Sequence, residues 1–171
     1  CESRYLLHTY NEVATDNVKN RIWHIHGEAA YTDTIVLGHY YYGNLLSICR
    51  QILKSEGGDK MILSADTPIN SWVDAFVLGD VYTVGQGYDF SEMDLWWLLG
   101  LKKKTGEKTG GTLYYYHPEK NKEFDVKSEL LKDYGAKIID FGETEPEENV
   151  SEYYRGFYKK VLEDMRSRLK G

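Results

Sequence analysis

Val81-Tyr82-Thr83-Val84-Gly85-Gln86-Gly87 runs four β-branched or aromatic residues straight into a pair of glycines. Residues of this type suit a strand. A run without polar alternation marks a strand buried on both faces, as in parallel sheets. Helical segments stand on either side. Upstream, Trp72 to Leu78 reads as a helix with Asn70 or Ser71 as N-cap, Ser71 and Asp74 at capping-box spacing, and Gly79 as its stop. Downstream, Ser91 to Lys103 reads as a helix whose apolar content is Leu95, Trp96, Leu98, Leu99 and Leu101.

The alternation continues outward. Thr112 to Tyr116 is a strand, Val126 to Tyr134 a helix stopped by Gly135, and Lys137 to Asp140 a further strand. An acidic connector, Glu143 to Asn149, leads to a long helix over Ser151 to Lys170, with Tyr154, Tyr158, Val161, Leu162, Met165 and Leu169 as one apolar stripe. Toward the N-terminus, Tyr40 to Ser55 is helical and stopped by Gly57-Gly58, and Thr34 to Gly38 is a short apolar run. Tyr5 to Tyr10 and Arg21 to His26 read as strands, with Asn11 to Asn20 as a short helix or loop. Strands separated by helices imply βαβ units and right-handed crossovers. The expected fold is α/β: a Rossmann-like, mostly parallel sheet flanked by helices, in one domain over 1–171 whose residues 150–171 form a terminal amphipathic helix.

Composition narrows the function classes. The 171 residues are 42% hydrophobic and 28% charged, ordinary for a globular chain. Aromatics reach 14%, and the 15 tyrosines point to a core of large amphipathic rings. A net charge of −6 argues against nucleic acid and anionic membranes as partners. The basic run Lys102-Lys103-Lys104 falls at the expected end of a helix, where solvated cations suit the macrodipole. Cys1 and Cys49 make neither a disulfide framework nor a zinc spacing. No apolar run approaches the roughly 18 residues of a membrane helix, and no signal peptide opens the chain, so a soluble cytoplasmic protein is expected. The first residue is not Met and a strand follows almost at once, which suggests a piece of a longer chain.

Arg21-Ile22-Trp23-His24-Ile25-His26-Gly27-Glu28 carries the best pointer to chemistry. A histidine followed by glycine where a strand runs out sets an imidazole at a sheet's carboxyl edge, where open α/β sheets bind ligands. Three segments would meet there: Thr9-Tyr10-Asn11, His24 to Gly27, and Val84 to Gly87 leading to Asp94. Simpler roles stand beside these. His26 could be a structural histidine, Asn11 a turn initiator, and Asp94 the capping partner of Ser91. His24 and His26 share a strand face, but His8, His39 and His117 do not complete a convincing metal set, so no metal is expected.

Together these segments resemble the sirtuin-like NAD-binding superfamily, and more narrowly bacterial AbiH-like phage abortive-infection proteins. The resemblance includes Ile35-Val36-Leu37-Gly38-His39 after His-Gly and Ser91-Glu92-Met93-Asp94 at a helix start. It spans Leu7 to about Leu99. It implies NAD binding, with NAD cleavage as the further expectation. His26 would be the general base on a ribose hydroxyl and Asn11 would hold water or ribose. Thr9, Gly27, Gly85, Gly87 and Asp94 would line the cofactor, Gly85 and Gly87 near ribose and phosphate. The family's Gly-rich phosphate loop is absent, since Gly110-Gly111 comes late and precedes a strand. The chain therefore reads as the larger, carboxyl-terminal part of such a domain, lacking its first strand–helix unit. Val13 stands where the family usually has Asp, and no four-Cys zinc module occurs, which ranks deacylation below NAD cleavage or binding. The competing reading is a catalytically degenerate assembly or partner-sensing module that forms homo-oligomers through its terminal helix.

Overall fold

A computed structural model describes residues 4–15, 18–53, 66–109, 111–118, 122–141 and 149–169. The chain divides into two compact units, Cys1–Gly79 with Tyr88–Gly111, and Asp80–Gly87 with Thr112–Gly171. The first unit holds β1 (Asn11–Thr15), β2 (Val18–Ile22), α1 (His39–Ile52), α2 (Trp72–Leu78) and α3 (Met93–Thr109). The second holds β3 (Val81–Val84), β4 (Leu113–Tyr116), α4 (Lys122–Asp133), β5 (Ala136–Ile139) and α5 (Val150–Arg168). The fold is thus mixed α/β, with a parallel sheet in the order β3-β4-β5. Among the described residues no helix is long and apolar enough to cross a membrane.

In the first unit three helices pack through Leu45, Cys49, Val73, Val77, Leu98 and Leu99, all buried. The capping box expected at Ser71 is present: its hydroxyl accepts from the Asp74 N–H, and Asp74 accepts from the Ser71 N–H. Elsewhere the unit departs from the expectation. Tyr5 to Tyr10 is not a strand, because the Leu7 carbonyl is spent on the Trp72 N–H at the start of α2. Where a short helix or loop was expected over Asn11 to Asn20, Asn11–Thr15 and Val18–Ile22 pair as antiparallel strands, with Asn11 opposite Ile22 and a Lys19–Glu12 ion pair at 3.0 Å. The strand expected to reach His26 ends at Ile22, since the Gly27 N–H turns back onto the His24 carbonyl at 3.0 Å.

Helix α3 runs on past the expected end at Lys103, to Thr109. Thr105 supports it by returning its hydroxyl to the Leu101 carbonyl at 3.0 Å. Lys102 is therefore no solvated helix end. It is buried, and its ammonium donates to the carbonyls of Phe76 at 3.0 Å and of Gly79, where α2 runs out. The last carbonyls of a helix lack intrahelical donors, and here a buried cation supplies them.

In the second unit α4 packs against β5, and α5 covers one face of the sheet. Tyr116, Phe157 and Val161 form the seam, with Tyr82, Tyr114, Ile139, Phe141 and Met165 packed around it. The expected α5 stripe is turned by part of its width. Phe157 and Val161 face the sheet, whereas Tyr158, Leu162 and Leu169 are exposed. Tyr116 donates its hydroxyl to Asp164, which also receives Arg168 Nε at 2.7 Å, and the Arg168 guanidinium lies 4.5 Å from the Tyr114 ring centre. The Gly57-Gly58 stop and most of the acidic connector fall outside the described residues.

Two outcomes follow from these buried polar contacts. Lys102→Met should lower the unfolding free energy read from urea titration by roughly 1–3 kcal/mol, as a lower midpoint at unchanged m-value, because it takes the donor away from helix-end carbonyls. The Arg168 hydrogen bond, opposed in part by burial, holds the Asp164 carboxyl below its ordinary range. A carboxyl depressed on folding stabilises at neutral pH and loses that contribution as pH falls through its folded value. Thermal melts should show Asp164→Asn less stable than the parent at pH 7, with the gap closing on acidification below about pH 4.

Candidate active site

The first unit brings a histidine and a carboxylate together where neither segment alone would suggest it. Residues 24–36 fold back as a tied loop. The Val36 N–H donates to the His26 carbonyl at 3.0 Å, the Glu28 N–H donates to the Thr34 hydroxyl at 3.0 Å, and that hydroxyl donates to the Tyr31 carbonyl at 2.6 Å. Gly27 makes the fold-back possible. Its φ is 95°, and a Cβ there would stand 2.3 Å from the Thr34 carbonyl oxygen. No side chain fits that gap.

His26, held from both sides, places Nε2 3.0 Å from Asp94 Oδ2. Asp94 sits in the first turn of α3 and is 0% exposed. A carboxylate can only accept, so the ring nitrogen facing it carries the proton. Nδ1 is then the nitrogen left for chemistry. Glu92 Oε1 lies 3.8 Å from it, while Glu92 Oε2 accepts the Asp89 N–H at 2.9 Å. The second Asp94 oxygen is buried and finds no hydrogen-bond partner among the described residues. Such an orphan costs stability in an ordinary core.

Helix α1 closes the other side. The Tyr42 ring is 5.2 Å from the His26 ring, and burial, then the charges of Glu92, Asp94 and Asp89, push its hydroxyl up. Cys49 is buried nearby, and burial followed by the Asp94 charge pushes its thiol up to about 12, so it is no nucleophile at neutral pH. An imidazole with one nitrogen fixed on a buried carboxylate is the arrangement of a general acid–base group, in which the carboxylate sets tautomer and orientation.

The expected three-segment edge does not form on one sheet. His26 stands in a turn after an antiparallel strand, and Gly85 and Gly87 follow β3 in the second unit's parallel sheet. Gly85 takes φ 71°. Thr9 is exposed on a cavity with Leu7, His8 and Gln51, and Asn11 is exposed at the start of β1. His24 does not share a strand face with His26 but pairs with Glu28 at 3.5 Å. Asp94 does not cap with Ser91, because the cap at this helix start is built from Asp89 and Glu92. Among the described residues no group of three His, Cys, Asp or Glu side chains is placed to hold a metal ion. Sequence reading missed Glu92 and Tyr42. The only signal for Glu92 was its place two residues before Asp94, on a helix start already suspected of facing the histidine.

No family model, curated protein or solved structure matches this chain.

Gly27→Ala tests whether the loop's closure sets the site. It should destabilise the first unit strongly, since backbone must move by more than an ångström. The loop ties the His26 backbone to Val36, so the His26 side-chain NMR signals should shift even where the variant still folds. Unchanged melting and unchanged imidazole signals would show that the close approach at Thr34 is not needed.

Proposed function

We propose that His26 and Asp94 form a general acid–base centre in an NAD-binding domain that cleaves the nicotinamide–ribosyl bond, in the setting of bacterial phage defence that the sequence resemblance implies. The observation that carries the acid–base reading is the 3.0 Å contact between His26 Nε2 and the fully buried Asp94 carboxylate. The choice of NAD rests on the resemblance alone. With Nε2–H committed to Asp94, Nδ1 takes a proton from a ribose hydroxyl or a water. Loss of nicotinamide builds positive charge on the sugar, and Glu92 is a carboxylate beside the accepting nitrogen that would oppose that charge. Asn11 supports none of these steps from its place on β1, so the reading stands on His26, Asp94 and Glu92.

The test is nicotinamide release from NAD by the purified full chain, alone and with a lysate of phage-infected cells. The parent should release nicotinamide. His26→Ala should lose about 10²–10⁴-fold, the usual range for a positioned general base. Asp94→Asn should lower kcat more than it raises KM, because it spoils the tautomer and leaves binding groups in place. No release under either condition would sink the enzyme reading, and equal rates in His26→Ala would sink the role of His26.

A second reading has its own observation. Tyr158, Leu162 and Leu169 are exposed along α5, which suits an assembly module that self-associates through this helix. Intact NAD together with an oligomer that dissociates in Leu162→Glu, measured by light scattering, would favour it.

A further inference from the structure

The second unit holds a cavity of about 240 Å³ where β3 and β4 end. Its floor is Gly85 and Gly87, and its walls are His117, Tyr154, Phe157 and Tyr158. The place is the one at which open parallel sheets bind ligands, beyond the carboxyl ends of their strands. The walls are tied together locally. The Tyr153 hydroxyl donates to the Pro118 carbonyl, tying the first turns of α5 to the loop after β4, and the His117 ring stacks on Tyr115 with centres 5.8 Å apart. Phe157 is buried in the seam below.

We infer that this cavity binds the planar ring of a nucleobase. Size is the first argument: the volume falls below the roughly 300–1,000 Å³ of pockets for drug-sized ligands, so it takes one ring system and not a whole dinucleotide. Chemistry is the second. No Lys or Arg is among its described lining residues to pair with a phosphate, whereas tyrosine rings stack on a base whatever its identity. The floor is the third. Around Gly87 no heavy atom lies within 4 Å of where a Cβ would stand, and at Gly85 the nearest is the Tyr158 hydroxyl at 4.0 Å. Nothing among these atoms crowds the Cα of either glycine, so a flat ring can approach the backbone there. This assigns Gly85 and Gly87 to a base, not to the ribose and phosphate that the sequence resemblance implies. It uses only the second unit and needs no cleavage of NAD.

Calorimetric titration of the full chain with adenosine and with ribose 5-phosphate tests it. Adenosine should bind and ribose 5-phosphate should not. Tyr158 is 45% exposed, so Tyr158→Ala should keep the parent's circular dichroism while weakening adenosine by about 5- to 150-fold, the worth of one stacked ring. Tyr158→Phe should bind as the parent does. His26→Ala should also bind adenosine normally, which separates this site from the acid–base centre: lost cleavage with intact adenosine binding, or no cleavage in any variant, leaves the inference standing. It is overturned if adenosine fails to bind, if ribose 5-phosphate binds as tightly, or if Tyr158→Ala binds adenosine like the parent.

Discussion

Burying the Asp94 carboxylate is the constraint around which the first unit is organised. Leu95, Leu98 and Leu99 draw the start of α3 into the core, and the backbone carries Asp94 under with them. A buried carboxylate without a partner is among the more expensive features a fold can carry, and removing the partner of a buried pair costs about 3–5 kcal/mol. His26 is that partner. Presenting it requires residues 24–36 to turn back on themselves, which requires Gly27 at positive φ against the Thr34 backbone. One electrostatic demand therefore explains a glycine, a threonine and a loop that otherwise look incidental.

The same helix carries a second buried charge with a different solution. Lys102 supplies donors to carbonyls at the end of α2. Asp94 and Lys102 both lie on α3; one Asp94 oxygen meets a side chain, whereas Lys102 reaches backbone carbonyls. The second unit makes much of aromatic packing, with Tyr82 and Tyr114 stacked at 4.9 Å and a Tyr116–Asp164–Arg168 network beside them. Both devices leave polar tips on large rings, which is what a tyrosine-rich chain has to accommodate.

Legibility followed the range of the forces involved. Val81–Val84 and Trp72–Leu78 were readable to the residue because local signals, β-branching and a capping box, decide them. The β1–β2 hairpin was not, because its strands are largely exposed and carry no apolar alternation to betray them. His26 was singled out from a His-Gly pair, yet the reason offered, a sheet edge, was not the one that operates. Its partner Asp94 lies 68 positions away, and no local pattern distinguishes it from a capping aspartate. Lys102 looked like a solvated cation because burial of one lysine among three depends on which face of α3 meets α2.

By itself the sequence determined the alternation of helices and parallel strands from Trp72 onward and the histidine worth asking about. These depend on periodicity, chain stiffness and turn chemistry, which act within a few residues. Only the tertiary structure decided that Asp94 is buried against His26, that Glu92 faces the remaining nitrogen, and that Gly85 and Gly87 floor an uncharged aromatic cavity. Those are pairings between distant segments, and desolvation, which sets their energy, exists only once the chain has closed around them.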